Sequence, residues 1–284
     1  MKLITVYFKD SKNMTELDNS SVQLAVTSFS ATAPHIMVPE EKKGMNTNAL
    51  RADIKETFRG LSAFLLLTSD RAVRRRYENI VPEIERVLKP DGVFILNVGP
   101  PNISAEADVF GTDLNILYPY IIAEDILRLS SLKLRREYLS IFRFGNAKPK
   151  MERWFMFSKT QEWKEKEDVI IPFVIKSAST PIPWYYDDES GQHTMTATPF
   201  PTNILRLLIK RFSDEGDLIL DPCSGTGTLG LVGGCMKRNV ALYEIAINMQ
   251  ALLLKRLAPL GKNVNFVGRA DSIGKAAQKL VPPL

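Results

Sequence analysis

The stretch "LILDPCSGTGTLG", Leu218 to Gly230, decides how the rest of the chain is read. Apolar residues run into an acid, Asp221, then a proline, then three glycines spaced by small hydroxyl residues. A strand that empties into glycines and then a helix wraps its backbone around part of a ligand. The candidates are a phosphate, a dinucleotide or a nucleoside. A Walker loop needs a lysine directly after its last glycine, and neither Gly225 nor Gly227 is followed by one. Gly225-Thr226-Gly227-Thr228-Leu229-Gly230 does satisfy the G-x-G-x-x-G spacing of dinucleotide folds, which alone is a weak signal.

Asp221 is the useful addition. A carboxylate at the end of the strand repels a pyrophosphate but attracts an ammonium or a sulfonium. Glu244 ends "VALYE", where a second strand-end carboxylate can accept both ribose hydroxyls. An acid, a glycine turn and a second acid fit S-adenosylmethionine better than NAD.

Working outward, "LILD", "VALYEI" and "VNFVG" read as strands separated by helical segments, with "PTNILRLLIKRFS" an amphipathic helix ahead of them. Upstream, "LITVYF" (Leu3–Phe8) and "SVQLAVTS" (Ser21–Ser28) read as buried strands, joined by a loop and short helix. An apolar run spans Thr57–Thr68. Val73, Tyr77, Ile80, Ile84, Val87 and Leu88 then recur at helical spacing up to a turn at Pro90-Asp91-Gly92, after which "VFILNVG" is a continuous buried strand. "YIIAEDILRLSSLKLRREYLSIF" reads as a helix running into a strand, and "RWFMFSK" (Arg153–Lys159) as an edge or hairpin strand. From Thr160 to Thr198 the composition becomes charged, then rich in Pro, Trp, Tyr and Ser, as in an irregular insert. Alternating strands and helices predict an α/β, Rossmann-like fold, its mostly parallel sheet covered by helices on both faces. The ligand crevice is then expected at the carboxyl ends of the strands.

The bulk numbers agree and exclude other classes. The 284 residues, 45% hydrophobic, are enough to bury a full core. An excess of 37 Lys and Arg over 32 Asp and Glu permits a polyanionic partner without demanding one. Two cysteines and two histidines argue against a disulfide framework and against a zinc site, so no metal is expected and a reducing cytoplasm fits best. There is no apolar run of membrane-spanning length and no leader pattern.

"LDPCSGTGTLGLVGGCMKRNVALYEI" resembles the cofactor motif of the amino-DNA methyltransferases, whose usual form is D-P-F-x-G-S-G-T. The resemblance covers most of the chain. "TATPFPTNILRLLIKRF" is similar to the helix preceding that loop, with "TPFP" against the methionine moiety. "RVLKPDGVFILNVG" resembles the strand after the catalytic loop, "RFGNAKPKMERWFMFSK" the later hairpin, and "YFKDSKNMTELDNSSVQLAVTS" the approach to the catalytic motif. The catalytic half comes first and the cofactor loop last, the order of the β group. The resemblance implies one methyltransferase domain over 1–284: a catalytic-motif half (1–159), a short target-recognition insert (160–198) and a cofactor-binding half (199–284). It implies S-adenosyl-L-methionine as cofactor, held by Asp10, Phe200, Asp221, Pro222, Ser224, Gly225, Thr226, Gly227, Thr228 and Glu244. Asp10 resembles the acid that bonds the adenine amino group; Asp271 in "VNFVGRADS" is its rival, and one of the two takes that place.

The catalytic motif, [DNS]-P-P-[YFW], is where the chain departs from the family. It has "AVTSFSATAP". Thr27-Ser28 matches the "TSPPY" version common in the cytosine-N4 branch, but Phe29, Ser30 and Ala31 stand where Pro, Pro and an aromatic belong. An exocyclic amine is a poor nucleophile because its lone pair is delocalised into the ring. The motif's polar side chain and a backbone carbonyl accept hydrogen bonds from the amine and localise that pair. Ser28 keeps an oxygen and Phe29 a carbonyl. The prolines that fix φ are absent, and Ala31 cannot supply a base-stacking contact worth roughly 1–3 kcal/mol. Ser28, Phe29 and Ser30 are therefore the catalytic candidates. Two functions follow. One is an active DNA amino-methyltransferase, cytosine-N4 favoured over adenine-N6. The other is a catalytically impaired DNA-binding or partner subunit that keeps the cofactor pocket.

The expected partner is duplex DNA with a flipped target base. The short insert implies recognition of few base pairs, or help from a homodimer or second subunit. Arg71, Arg74, Arg75 and Arg76 on a predicted helix are a solvated face in the bland reading and phosphate contacts in the sharper one. Lys148 and Lys150 are better DNA candidates, being on a loop. Trp184, Tyr185 and Tyr186 suit either base stacking or packing of the insert. His35 and His193 are structural or surface residues, since the reaction needs no histidine. Cys223 replaces the family's Phe as packing.

Overall fold

The computed structural model describes residues 3–28, 71–99, 112–144, 150–179, 182–188, 191–197, 200–245 and 247–268. The elements among them are β1 (Ile4–Tyr7), β2 (Val22–Ser28), α1 (Arg71–Val87), β3 (Leu88–Val98), α2 (Thr112–Leu129), β4 (Lys133–Phe144), β5 (Lys150–Ser158), β6 (Val174–Ser179), β7 (Ile182–Asp188), β8 (Gly191–Ala197), α3 (Thr202–Phe212), β9 (Leu218–Asp221), α4 (Thr228–Cys235), β10 (Asn239–Tyr243), α5 (Ile247–Leu257) and β11 (Val264–Val267).

Nine of these strands form one sheet in the order β11-β1-β10-β9-β2-β3-β5-β4-β6. The run from β11 to β3 is parallel throughout. β5 is antiparallel to both β3 and β4, and β6 returns parallel to β4. The central strands are buried on both faces, as their unbroken apolar sequences require. Ala25, Phe94, Leu96, Phe155 and Phe157 point to one core, with Val81 and Ile84 of α1 and Ile122 and Ile126 of α2. Leu24, Val26, Ile95, Trp154 and Met156 point to the other, with Leu205, Ile209 and Phe212 of α3, Leu229 of α4 and Leu253 and Leu257 of α5. This is the Rossmann-like α/β arrangement expected.

Several local expectations need correction. The segment between β1 and β2 contains turns and no helix among its residues. Pro90-Asp91-Gly92 does not precede the strand but lies inside β3, where Val22 pairs with Leu88 and Leu24 with Val93. β3 thus spends five residues against two of β2, so the turn chemistry appears as a bulge within a strand. The exposed Asp91 carbonyl there accepts the backbone N–H of Lys164 at 2.9 Å. β5 is a hairpin partner of β4 but not an edge, because β3 covers its other side. The supposedly irregular stretch from Thr160 to Thr198 holds β6 and a β7–β8 pair that forms a separate two-stranded sheet. Its Trp, Tyr and Thr content is strand-forming, and the composition shift hid that. The apolar run Thr57–Thr68, His35 and Lys148 lie outside the described residues.

Candidate active site

β9 delivers Asp221 to the carboxyl end of the sheet, between β10 and β2. The chain then turns through Pro222 to Gly227, with the Gly227 N–H donating to the Ser224 carbonyl at 2.7 Å. Gly227 caps α4 at φ 70°. A side chain there would be strained by that φ and would also collide with Leu253. Further along the same helix a Cβ on Gly233 would sit 2.6 Å from Ile219 Cδ1 and 2.9 Å from Val240 Cγ2. The glycines therefore let α4 lie directly on β9 and β10.

The loop is tied to the second acid. The Ser224 N–H donates to the Tyr243 carbonyl at 2.9 Å, and the Gly225 N–H donates to Glu244 Oε2 at 2.8 Å. Gly225 itself has φ 49°, and a Cβ there would have the Cys223 carbonyl oxygen 4.0 Å away as its nearest neighbour. Asp221, Pro222, Ser224, Gly225, Thr226, Gly227, Thr228 and Glu244 are thus brought together, as their spacing suggested. Arg256 of α5, which the sequence reading missed, closes the far side. It donates to the Thr226 carbonyl at 2.6 Å and to Thr228 Oγ1 at 3.0 Å.

Asp221 is fully buried. Its Oδ1 accepts the Cys223 N–H at 3.1 Å and the Thr27 hydroxyl at 3.0 Å. Its Oδ2 has no hydrogen-bond partner among the described residues, and neither does the buried Ser224 Oγ. Loss of water pushes the Asp221 carboxyl up to about 7, and the nearby Glu244 charge adds to this against the two donors. A buried carboxylate oxygen left without a donor is costly, and a cationic donor would relieve that cost. An ammonium fits the unpartnered oxygen.

Thr27 also joins the two predicted sites. It is fully buried next to Ser28, the last residue of β2, which pairs with Asn97 of β3. The sequence carried one signal for Thr27: a polar residue at the end of a central apolar strand must find a partner. Phe29, Ser30, Ala31 and Asp271 lie outside the described residues. Phe200 packs on Trp154 of β5, ring centroids 5.7 Å apart, and Trp154 pairs with the same Asn97 that pairs with Ser28. Asp10 follows β1, which lies directly against β10, with Tyr7 paired to Tyr243. Its Oδ1 accepts the Lys12 N–H at 3.0 Å, and Lys12 Nζ lies 3.4 Å from Oδ2. β11, which leads toward Asp271, is one strand farther out.

A sequence profile described as DNA methylase matches residues 68–255 of this chain. The chain belongs to this DNA methylase family. The methylase is 26% identical to the type II methyltransferase M.MthZI of Methanothermobacter thermautotrophicus, over 89% of this chain and 76% of that protein. It is 25% identical to M.MjaI of Methanocaldococcus jannaschii, over 93% of this chain and 96% of that one. Among solved structures, the methylase resembles the cytosine-N4-specific PvuII DNA methyltransferase with a TM-score of 0.61 at 16% identity, covering 98% and 93% of the two chains. It also resembles a putative DNA modification methylase of Thermus thermophilus complexed with S-adenosyl-L-methionine. There the TM-score is 0.59 at 16% identity, with 93% and 99% covered. These two likenesses establish the fold. No helix among the described residues is long and apolar enough to cross a membrane.

Proposed function

We propose that this DNA methylase transfers a methyl group from S-adenosylmethionine to an exocyclic amine of DNA, cytosine N4 in preference to adenine N6. The observation that carries the reading is the buried Asp221, whose second oxygen has no partner among the described residues, beside the Glu244–Gly225 link. When bound, the cofactor supplies a methyl group activated on a sulfonium. Asp221 would hold its ammonium, Glu244 would accept its ribose hydroxyls, and Gly225, which has no side chain, would let the backbone approach it closely. Asp10 takes the adenine amino group in preference to Asp271, because β1 is the strand beside β10. Ser28 and the Phe29 carbonyl accept hydrogen bonds from the target amine and localise its lone pair. The cytosine preference rests on Thr27-Ser28, and the likeness to the PvuII enzyme is consistent with it.

In this reading 1–284 acts as one methyltransferase domain. Duplex DNA crosses the strand ends, and residues 160–198, including the β7–β8 hairpin, contact the recognition sequence. Binding then weakens with salt as phosphate contacts require. A second reading is favoured by one observation. Phe29-Ser30-Ala31 replaces Pro-Pro-aromatic, which suits an impaired methylase that binds cofactor and DNA as a partner subunit.

Calorimetry with S-adenosylhomocysteine tests the pocket, and tritiated methyl transfer to mixed-sequence duplex DNA tests the reaction. Digestion of the labelled DNA separates methylcytosine from methyladenine. Binding with transfer supports the first reading. Binding without transfer supports the second, and replacing Phe29, Ser30 and Ala31 together by Pro, Pro and Tyr should then raise the rate. Absence of binding removes both.

A further inference from the structure

We propose that Thr27 is a positioning residue for the cofactor's ammonium: its hydroxyl holds one oxygen of Asp221 so that the other is presented to the ligand. The proposal rests on the cofactor reading of this pocket. It is drawn from the geometry of two fully buried side chains on adjacent parallel strands. Thr27 Oγ1 donates to Asp221 Oδ1 at 3.0 Å, and the Cys223 N–H donates to the same oxygen at 3.1 Å. Both donors converge on Oδ1, and none among the described residues reaches Oδ2. The carboxylate is therefore fixed in rotation, with its acceptor capacity divided between an occupied oxygen and an open one.

This division has a chemical consequence. A neutral Asp221 carries its proton on Oδ2, because Oδ1 already accepts two donors. An incoming ammonium needs that same oxygen in its anionic form. The proton on Oδ2 leaves to solvent, and the carboxylate pairs with the ammonium, which keeps its own protons. Charge balances: one proton is released for each neutral Asp221 that binds a ligand. The groups facing Asp221 among the described residues are Thr27 from β2, the Cys223 N–H from the following turn and the Glu244 carboxylate from the end of β10. Thr27 and Cys223 favour the anion and Glu244 opposes it. Thr27 is the side-chain donor in this set, so it is the one that substitution can remove. It also stands next to Ser28, so the strand that carries the catalytic serine is joined to the acid that receives the cofactor.

The test compares Thr27→Val, which keeps the shape and loses the hydroxyl, with Thr27→Ser, which keeps the hydroxyl. Two quantities are read. One is S-adenosylhomocysteine affinity by calorimetry between pH 6 and 9. The other is the titration of the Asp221 carboxyl in the ligand-free protein, followed by carbon NMR and assigned with Asp221→Asn. Thr27→Val should weaken binding about tenfold at pH 7, with a smaller loss at pH 9, and should move the Asp221 titration upward. Thr27→Ser should restore both. If Thr27→Val does not fold, Thr27→Ala serves for the same comparison. An Asp221 titration unchanged by loss of the hydroxyl, or a serine variant that behaves like the valine one, would overturn the proposal. Wild-type protein that binds no S-adenosylhomocysteine would defeat the cofactor reading instead. The carboxyl titration would still decide whether Thr27 sets the state of Asp221.

Discussion

Asp217 and Asp221 stand at opposite ends of one short strand and are treated in opposite ways. Asp217, just before β9, accepts Lys164 Nζ at 2.8 Å, the Asp214 N–H at 2.8 Å and Lys89 Nζ at 3.3 Å. Burial pushes its carboxyl up, but Lys164 and the other donors outweigh that and hold it below the ordinary range. Around it Glu165 pairs with Arg136 and Arg211, and Asp214 with Lys164 and Lys166. The two lysines hold Asp214 down at about 2. Asp221, at the other end of β9, has one oxygen unpaired among the described residues, and burial drives it up to about 7. The acids at the base of the sheet are neutralised within the protein, whereas at the carboxyl end Asp221 keeps one oxygen without a partner among the described residues. Local imbalance of this kind is expected at a functional site and is compensated elsewhere in the fold.

The sharpest way to break the contrast is Asp221→Asn. Cofactor affinity should fall at least a hundredfold by calorimetry, since the ammonium loses its counter-charge in a site closed to water. The ligand-free protein should at the same time become more stable at pH 8, by roughly 2–4 kcal/mol in chemical denaturation. A variant that binds normally would end the assignment of Asp221 to the ammonium.

The pH dependence of stability should separate the two ends next. Asp221 has a folded-state value above its unfolded one. Its contribution is present below about pH 4 and is lost as pH rises through about 7. Asp217 and Asp214 are lowered, so their contribution is present above about pH 4 and is lost on acidification. Ligand-free wild type should therefore lose stability between pH 4 and 7 by an amount absent from Asp221→Asn, as thermal melts in matched buffers can read.

Asp217→Asn should show the mirror effect on a smaller scale. It leaves Lys89 beside a weaker acceptor and Lys164 with Asp214 as its remaining carboxylate, and should cost about 1–2 kcal/mol of stability, with cofactor affinity unchanged. The smallest effect is expected for Lys89→Met. Lys89 is one of two lysines on Asp217 and is partly exposed, so its removal should cost about 0.5 kcal/mol.

Much of this contrast was legible in the sequence, but only on one side. Asp221 and the glycines could be read because their chemistry is local, an acid, a tight turn and a helix start within a dozen or so residues, and Glu244 because it ends the next strand. The alternating strands and helices gave the fold for the same reason. The ion-paired base could not be read, since Glu165 meets Arg136 and Arg211 from distant segments, and exposed-looking charges carry no record of their partners. Thr27 was invisible as a contact of Asp221 because the two are 194 positions apart. The β6–β8 strands were missed where polar and aromatic residues without clean alternation masked their propensity. Pro90-Asp91-Gly92 was misplaced because a bulge uses the same residues as a turn.

The place of β1 in the sheet has a consequence for how the chain is made. Ile4 pairs with Val240 on one side and Val264 on the other, and Tyr7 pairs with Tyr243 and Val267. More than two hundred residues must therefore leave the ribosome before this strand finds either neighbour. At roughly 5–20 residues per second the delay is on the order of ten seconds to a minute. During that time the Ile4 and Val6 side chains, wholly buried in the finished sheet, have no native surface to cover them. The pairings of β1 with β10 and β11 are thus among the last parts of the molecule to form. A nascent chain released before β10 and β11 emerge would carry β2 to β9 but neither neighbour of β1.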